Sequence, residues 1–281
     1  MIKQRPFKQV DVFTSVALSG NPVAVILDAA GLSDVQMQAV AHWTNLSETT
    51  FVTAATEPGA DYAVRIFTPR SELPFAGHPT LGTAHAVIEA GLATPKHGRV
   101  VQQCAVGLVE VSIGAGRPSF RLPRYAFEVA PDLSALVGGI GGAELVIGTP
   151  CIVNVGPRWA IVQLVSAEAV EALTPDFPAL AAYERTHRTT GVTIFAERGD
   201  GIVVRSFAPS DGINEDPVCG SGNAAVAAYR LRAGAIADGA TYTARQGRQV
   251  GRDGYVYVRI DGNDVHVGGD CVTCVDGYFA L

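Results

Sequence analysis

A six-residue pattern, Glu-x-Pro-x-x-Gly, stands twice in this chain, at Glu72-Leu-Pro-Phe-Ala-Gly77 and at Glu215-Asp-Pro-Val-Cys-Gly220. The second copy begins 143 residues after the first, about half of the 281 residues. Each copy runs directly into a stretch rich in Ala and other helix formers. A repeat this long is not a solenoid period and points to a duplicated domain. Two similar halves that face one another, with a site between them, are the arrangement it predicts.

The flanking elements repeat as well. Strands are predicted at 7–13, 23–27, 49–53 and 61–67 before the first motif, and at 98–104, 107–113 and 118–122 after its helix. A helix capped by Ser33 runs to about Trp43. The first motif helix is predicted from Pro79, whose missing N–H suits the first helical position, to Ala90. The second half offers strands near 144–148, 151–155, 159–165, 191–196 and 201–207. Its short helices fall near 167–172 and 177–184, and its motif helix runs from Gly220 to Ala233. Strands at 241–246, 255–260, 263–268 and 271–279 complete it. The join lies in 123–142, with a short helix near 131–137. Gly138-Gly-Ile-Gly-Gly142 lacks the spacing of a dinucleotide site and reads as a loop. Each motif helix is apolar nearly all round, which is the pattern of a buried helix. The fold class is therefore α+β, with two pseudo-symmetric domains, each a barrel-like sheet wrapped around a central helix.

Composition narrows the function. Hydrophobic residues make up 48% and charged residues 17%, as in a globular protein rather than a disordered chain. The net charge of −6, without any Lys/Arg run, argues against nucleic acid and anionic membranes as partners. No apolar run reaches the 18 residues of a membrane span. No apolar signal-like segment opens the sequence, and the cysteines are five, an odd number, so reduced thiols in a cytoplasm are expected. Cys271-Val-Thr-Cys274 has CxxC spacing but no second pair, and reads as two strand cysteines. The histidines show no ligand spacing, and no metal is expected.

The chemistry lies where the repeat is broken. Gly77 and Gly220 begin the two helices, whose first N–H groups lack internal partners and carry the positive end of the helix dipole. Two such ends brought together would cradle a carboxylate or an oxyanion. At the 143-residue offset, however, His78 stands opposite Ser221, Ala76 opposite Cys219, Leu73 opposite Asp216 and Glu48 opposite Gly191. Racemisation by two opposed cysteines is excluded by Ala76. A single carboxylate, Glu48, fits a one-base shuttle that takes a proton from one carbon and returns it to another. His78 and Asp216 would orient the substrate and stabilise developing charge. Glu72 and Glu215 recur in both halves and read as structural, holding the motif loop through backbone N–H groups. Cys219 is given a packing role.

Asp11-Val-Phe-Thr, Gly20-Asn-Pro-Val-Ala-Val, Asn45-Leu-Ser-Glu-Thr-Thr-Phe-Val, Phe75-Ala-Gly-His-Pro-Thr-Leu-Gly-Thr-Ala and Asp216-Pro-Val-Cys-Gly-Ser-Gly-Asn together resemble the PhzF family of phenazine-biosynthesis-like proteins. The resemblance implies a diaminopimelate-epimerase-like fold with the active site in the cleft. It implies a first half of residues 1–125 joined by about 271–281, and a second half of 126–270. It also implies a cofactor-independent isomerase of the type that acts on trans-2,3-dihydro-3-hydroxyanthranilate, working as a homodimer on a small carboxylate. The family's catalytic residues match Glu48, His78 and Asp216. Its substrate-binding positions match Gly77 and Ser221, with Gly220, Gly222 and Asn223 beside them in the same motif. Two other readings stand beside this one: an epimerase using Glu48 and Cys219 as opposed bases, and a non-catalytic binder of small acids.

Overall fold

Two helices that bury most of their surface organise the structure, a computed structural model that describes residues 3–113 and 117–281. In chain order the elements are β1 (Gln4–Val12), β2 (Asn21–Ile26), α1 (Asp34–Thr44), β3 (Glu48–Thr53), β4 (Tyr62–Phe67), β5 (Glu72–Leu73) and α2 (Gly77–Glu89). Then come β6 (Arg99–Cys104), β7 (Gly107–Ser112), β8 (Ser119–Arg121), β9 (Ala126–Val129), α3 (Leu133–Ile140), β10 (Val146–Asn154) and β11 (Arg158–Leu164). They are followed by α4 (Ala167–Ala172), α5 (Phe177–His187), β12 (Gly191–Arg198), β13 (Gly201–Ala208), β14 (Ile213–Asp216) and α6 (Gly220–Arg232). The last are β15 (Thr241–Gln246), β16 (Gly254–Asp261), β17 (Asp264–Gly268) and β18 (Cys271–Ala280).

The chain divides into two units. One is the chain up to Arg121 together with Gly268–Leu281, and the other is Leu122–Val267. In the first, β18 and β2 flank β1 as antiparallel neighbours, β2 pairs β3 in parallel, and β3 pairs β4 antiparallel. β4 then pairs β6 in parallel, and β6, β7 and β8 follow antiparallel. The second unit repeats the scheme. β9 and β11 flank β10 antiparallel, β11 pairs β12 in parallel, and β12 pairs β13 antiparallel. β13 pairs β15 in parallel, and β15 pairs β16 antiparallel. Parallel neighbours need a crossover, which the helices supply. Between β2 and β3 it is α1, started by the Ser33–Gln36 capping box and ended by Asn45 in the left-handed region, at φ 53°. Between β11 and β12 it is α4 and α5, each N-capped by an acidic or hydroxyl side chain, Ser166 and Asp176.

Ten of the thirteen residues of α2 are buried, and ten of the thirteen of α6, so each is a core helix rather than a surface one. α2 touches strands from both ends of its sheet, β18 and β1 as well as β7 and β8, so the sheet curls around it. α6 packs in the same way on β10, β11, β12 and β16. A strand glutamine ties each helix in place. Gln102 Nε2 donates to Thr80 Oγ1 at 3.0 Å, and Asn223 Nδ2 donates to Gln246 Oε1 at 2.9 Å. Thr80 and Asn223 hold the same place in the two motifs.

The repeated glutamates are structural, but through side chains. Arg65 grips Glu72 through two hydrogen bonds of 2.7 and 2.6 Å, and Arg205 grips Glu215 through two of 3.0 and 2.8 Å. Each arginine also lies over a phenylalanine two residues on, Phe67 or Phe207, at 5.1 Å in both cases. The bidentate fork fixes the strand β5 or β14 that delivers the motif to its helix.

Three expectations about elements need correction. α2 starts at Gly77, two residues before Pro79, which is harmless there because a third-position N–H has no intrahelical acceptor either. Gly138, Gly139 and Ile140 belong to α3, where Leu136 and Ile140 pack into the core and stabilise the turn despite the glycines. Val146–Asn154 is one long strand with an irregular register rather than two, and the join also contains β9, paired with β10.

The two arginine–glutamate pairs differ in burial, which sets their worth. Both side chains of Arg205–Glu215 are 5% exposed, whereas those of Arg65–Glu72 are 35% and 38% exposed. Removing one partner of a buried pair strands a charge, so Glu215→Ala is expected to cost about 3–5 kcal/mol. Glu72→Ala is expected to cost under about 1 kcal/mol. Urea unfolding of the two variants measures this, and equal losses would contradict the burial argument.

Candidate active site

In the first unit Glu48 opens β3 in register with Val23 of β2. β3 is fixed against α2 by Thr83 Oγ1, which donates to Thr50 Oγ1 at 2.9 Å. His78 is the second residue of α2 and only 6% exposed. Its Nε2 lies 3.3 Å from Glu48 Oε2, within ion-pair reach though not in hydrogen-bond alignment. The ring also hydrogen-bonds the Pro22 backbone. Burial pushes the imidazole down to about 3, against the opposing pull of that backbone acceptor, so the ring is neutral at physiological pH. A group whose folded value is depressed in this way stabilises the fold above 6.5 and loses that contribution as pH falls toward about 3. The N-cap of α2, Ala76, supplies no side-chain cap. At Gly77 a Cβ would meet the Phe120 ring at 2.8 Å, so the glycine is required by that close approach. The structure thus brings Glu48, Gly77 and His78 together at one end of α2.

The second unit fills the corresponding place differently. Gly191 opens β12 in register with Trp159 of β11, just as Glu48 pairs with Val23. A Cβ at Gly191 would lie 2.1 Å from Phe207 O and 2.5 Å from Trp159 Cζ3, so no side chain fits there. The indole of Trp159 takes the space, and its Nε1 donates to Ser221 Oγ at 3.0 Å. A carboxylate facing an imidazole in one unit is replaced by an indole facing a hydroxyl in the other.

The remaining motif residues gather around the start of α6. Cys219 is its N-cap, and Sγ accepts the Gly222 N–H at 3.2 Å. Ser221 Oγ lies 3.5 Å from the same sulfur. Asn223 is fully buried, and its Nδ2 donates to Cys219 O and Gln246 Oε1, both at 2.9 Å. Gln246 Nε2 in turn donates to Asp216 O at 2.9 Å, and the Asp216 carboxylate accepts the Val218 N–H at 3.0 Å. Asp216, Ser221, Gly222 and Asn223 therefore share one hydrogen-bonded cluster, and Gly220 begins the helix beside it. Burial raises the Asp216 carboxyl from its ordinary 3.8 to about 6, and the neighbouring Glu215 charge adds to this, while bonds from Cys219 and Val218 oppose it. The sequence reading did not single out Trp159, Gln102, Gln246, Arg65 or Arg205. The last two had a signal, Arg-x-Phe before each glutamate, at Arg65-Ile-Phe67 and Arg205-Ser-Phe207.

The raised value at Asp216 has a sign that can be measured. Its folded form holds the proton more tightly than the unfolded chain, so that contribution is complete below 3.8 and lost as pH rises through about 6. Above that, a desolvated charge remains. Asp216→Asn is expected to stabilise the protein at pH 8 by about 1–3 kcal/mol, and by progressively less toward pH 4. Thermal or urea unfolding across that range checks it, and a loss of stability at pH 8 would contradict it.

Residues 10–277 match the family of phenazine biosynthesis-like proteins. The chain is 40% identical over 290 residues to antisense-enhancing sequence 1 of Schizosaccharomyces pombe, with 98% of each chain covered. It is 35% identical over 285 residues to trans-2,3-dihydro-3-hydroxyanthranilate isomerase of Pseudomonas chlororaphis, covering 97% of this chain and 98% of that one. A solved PhzF-family structure from Bacillus anthracis superposes with a TM-score of 0.87 at 24% identity, over 99% of both chains, which bears on the fold alone. A hydroxyproline epimerase and a probable proline racemase, each 16% identical, share that fold.

Proposed function

The chain belongs to the phenazine biosynthesis-like, or PhzF, family, and we propose that it is a cofactor-independent isomerase moving one proton between two carbons of a small cyclic hydroxy- or amino-carboxylic acid. Curated relatives along the whole chain are named isomerases, and this protein is an isomerase of that kind. Glu48 is the base. Its carboxylate takes a proton from one ring carbon, the electron pair left behind shifts the double bond, and the resulting carboxylic acid returns the proton to the new carbanionic position. No net proton, electron or group is consumed. The ring of His78 is neutral and gives its one N–H to the Pro22 backbone, so it sets no cation against the carboxylate, and from that side the base is not neutralised.

The observation that carries this reading is the broken symmetry. Glu48 faces His78 at 3.3 Å, whereas its counterpart Gly191 leaves room only for the Trp159 indole. An indole N–H is a donor and cannot act as a second base. The residues of this reading divide between the two units. Glu48 and His78 come from the first, while Asp216, Ser221 and the start of α6 from Gly220 to Asn223 come from the second. The Gly77 N–H in the first unit and the α6 N-terminal amides in the second each offer a helix start suited to a carboxylate or a developing negative charge. The thiol of Cys219 is bonded to Asp216 and caps α6, which weighs against its use as an opposing base for epimerisation. The substrate is a small molecule. No helix among the described residues is long and apolar enough to cross a membrane, and the reading takes the protein as a cytoplasmic homodimer.

Glu48→Gln keeps the shape and hydrogen-bonding capacity of the side chain but removes the base. With trans-2,3-dihydro-3-hydroxyanthranilate in deuterated water, the variant is expected to lose about 10²-fold or more in turnover and in deuterium uptake. Binding of the substrate is expected to stay within a few-fold of wild type, because the base acts chiefly on the transition state. Retained exchange in the variant would sink the single-base mechanism.

A further inference from the structure

Cys219 is the reactive group that the proposed chemistry leaves unused. It lies in a row of hydrogen-bonding side chains whose direction can be worked out. Trp159 is 3% exposed, and its indole N–H can only donate, so Ser221 Oγ is the acceptor in their 3.0 Å bond. The single proton of Ser221 is then left to donate, and Cys219 Sγ lies 3.5 Å away. That sulfur already accepts the Gly222 N–H, so the thiol proton is free to point elsewhere. It points to Asp216, whose carboxylate turns back over the same short loop to accept the Val218 N–H at 3.0 Å and is hydrogen-bonded to Cys219, because an ionised carboxylate can only accept.

We propose that Trp159, Ser221 and Cys219 form a hydrogen-bond chain of fixed direction that ends on Asp216, with Cys219 as the positioning residue for that carboxylate. The role of Asp216 and Ser221 in the site rests on the isomerase reading above, but the chain itself does not. Trp159 sets the direction because it has no lone pair to offer. When a substrate carboxylate reaches Ser221, the hydroxyl proton has a stronger acceptor than sulfur and turns toward it. Substrate binding then weakens the support that Cys219 gives Asp216. The charged surroundings of Asp216 are otherwise matched. Glu215, its neighbour on β14, is paired with Arg205 of β13. From β15 the neutral Gln246 amide bonds the Asp216 backbone carbonyl, and the adjacent Arg245 is held by Asp253.

The test follows the Asp216 carboxyl carbon by ¹³C NMR through a pH titration of the unliganded protein. Cys219→Ala removes the donor, and the midpoint is expected to rise by about one pH unit. Cys219→Ser restores a donor and is expected to return the midpoint to within a few tenths of a unit of wild type, roughly the scatter of an equivalent hydrogen bond. Ser221→Ala cuts the chain one link earlier at little change of volume, and a smaller rise is expected. An unchanged midpoint in Cys219→Ala and Ser221→Ala overturns the proposal, as does a rise in Cys219→Ser equal to that in Cys219→Ala, which would mean packing alone. If turnover is present, the acid limb of the pH–rate profile moves to higher pH in Cys219→Ala and not in Cys219→Ser. Because the titration needs no substrate, failure of the isomerase reading appears separately, as a wild-type protein that neither turns over nor exchanges.

Discussion

Burial of an alanine-rich helix inside each sheet is the constraint on which the rest of this structure depends. A helix that buries ten of its thirteen residues cannot sit on a surface, so the strands curl around it. Enclosure fixes where the helix begins, and the polar residues at that end are then held by strands on all sides. Gln102 and Gln246 are the clearest sign of this. They occupy equivalent strands and bond to equivalent helix positions, Thr80 and Asn223. The arginine–glutamate forks do the same for the loop that enters the helix.

On that repeated frame the two units diverge in a single neighbourhood. A glutamate at the start of β3 meets an imidazole, and a glycine at the start of β12 yields to an indole. The difference is chemical as much as steric. Glu48 offers carboxylate oxygens that accept, while the Trp159 indole N–H can only donate. Duplication supplies two helix N-termini, and one of them alone has a glutamate beside its second residue.

The buried ionisable groups carry a cost to stability that goes with their use. His78 is kept neutral by desolvation, and Asp216 is held near a value of about 6 by the same cause acting on the opposite charge type. Neither arrangement maximises stability. A carboxylate that resists ionisation in its surroundings, yet receives the Val218 amide and the Cys219 thiol, is balanced between its two protonation states. Hydrogen bonds to its charged form set that balance, which gives the thiol of Cys219 an electrostatic role beyond the packing role expected of it.

Much of the frame was legible in the residue pattern. The 143-residue repeat predicted the duplication, the apolar helices predicted their own burial, and period-two segments located most strands within a residue or two. Glu48, His78 and Asp216 stood out because they break the repeat. Other features depend on side chains far apart in the chain. Trp159 meets Ser221 across 62 residues, and Arg205 reaches the carbonyls of Val170 and Leu173. Local propensity carries no record of such partners, because they become neighbours only when the sheet closes on its helix. What the sequence determined by itself was the duplication, the element order and the residues that differ between the copies. Only the tertiary structure decided that Glu72 and Glu215 are gripped by arginine side chains, that an indole stands where a second base would be, and that a thiol bonds Asp216. Each of those depends on burial and on direction, and a linear pattern specifies neither.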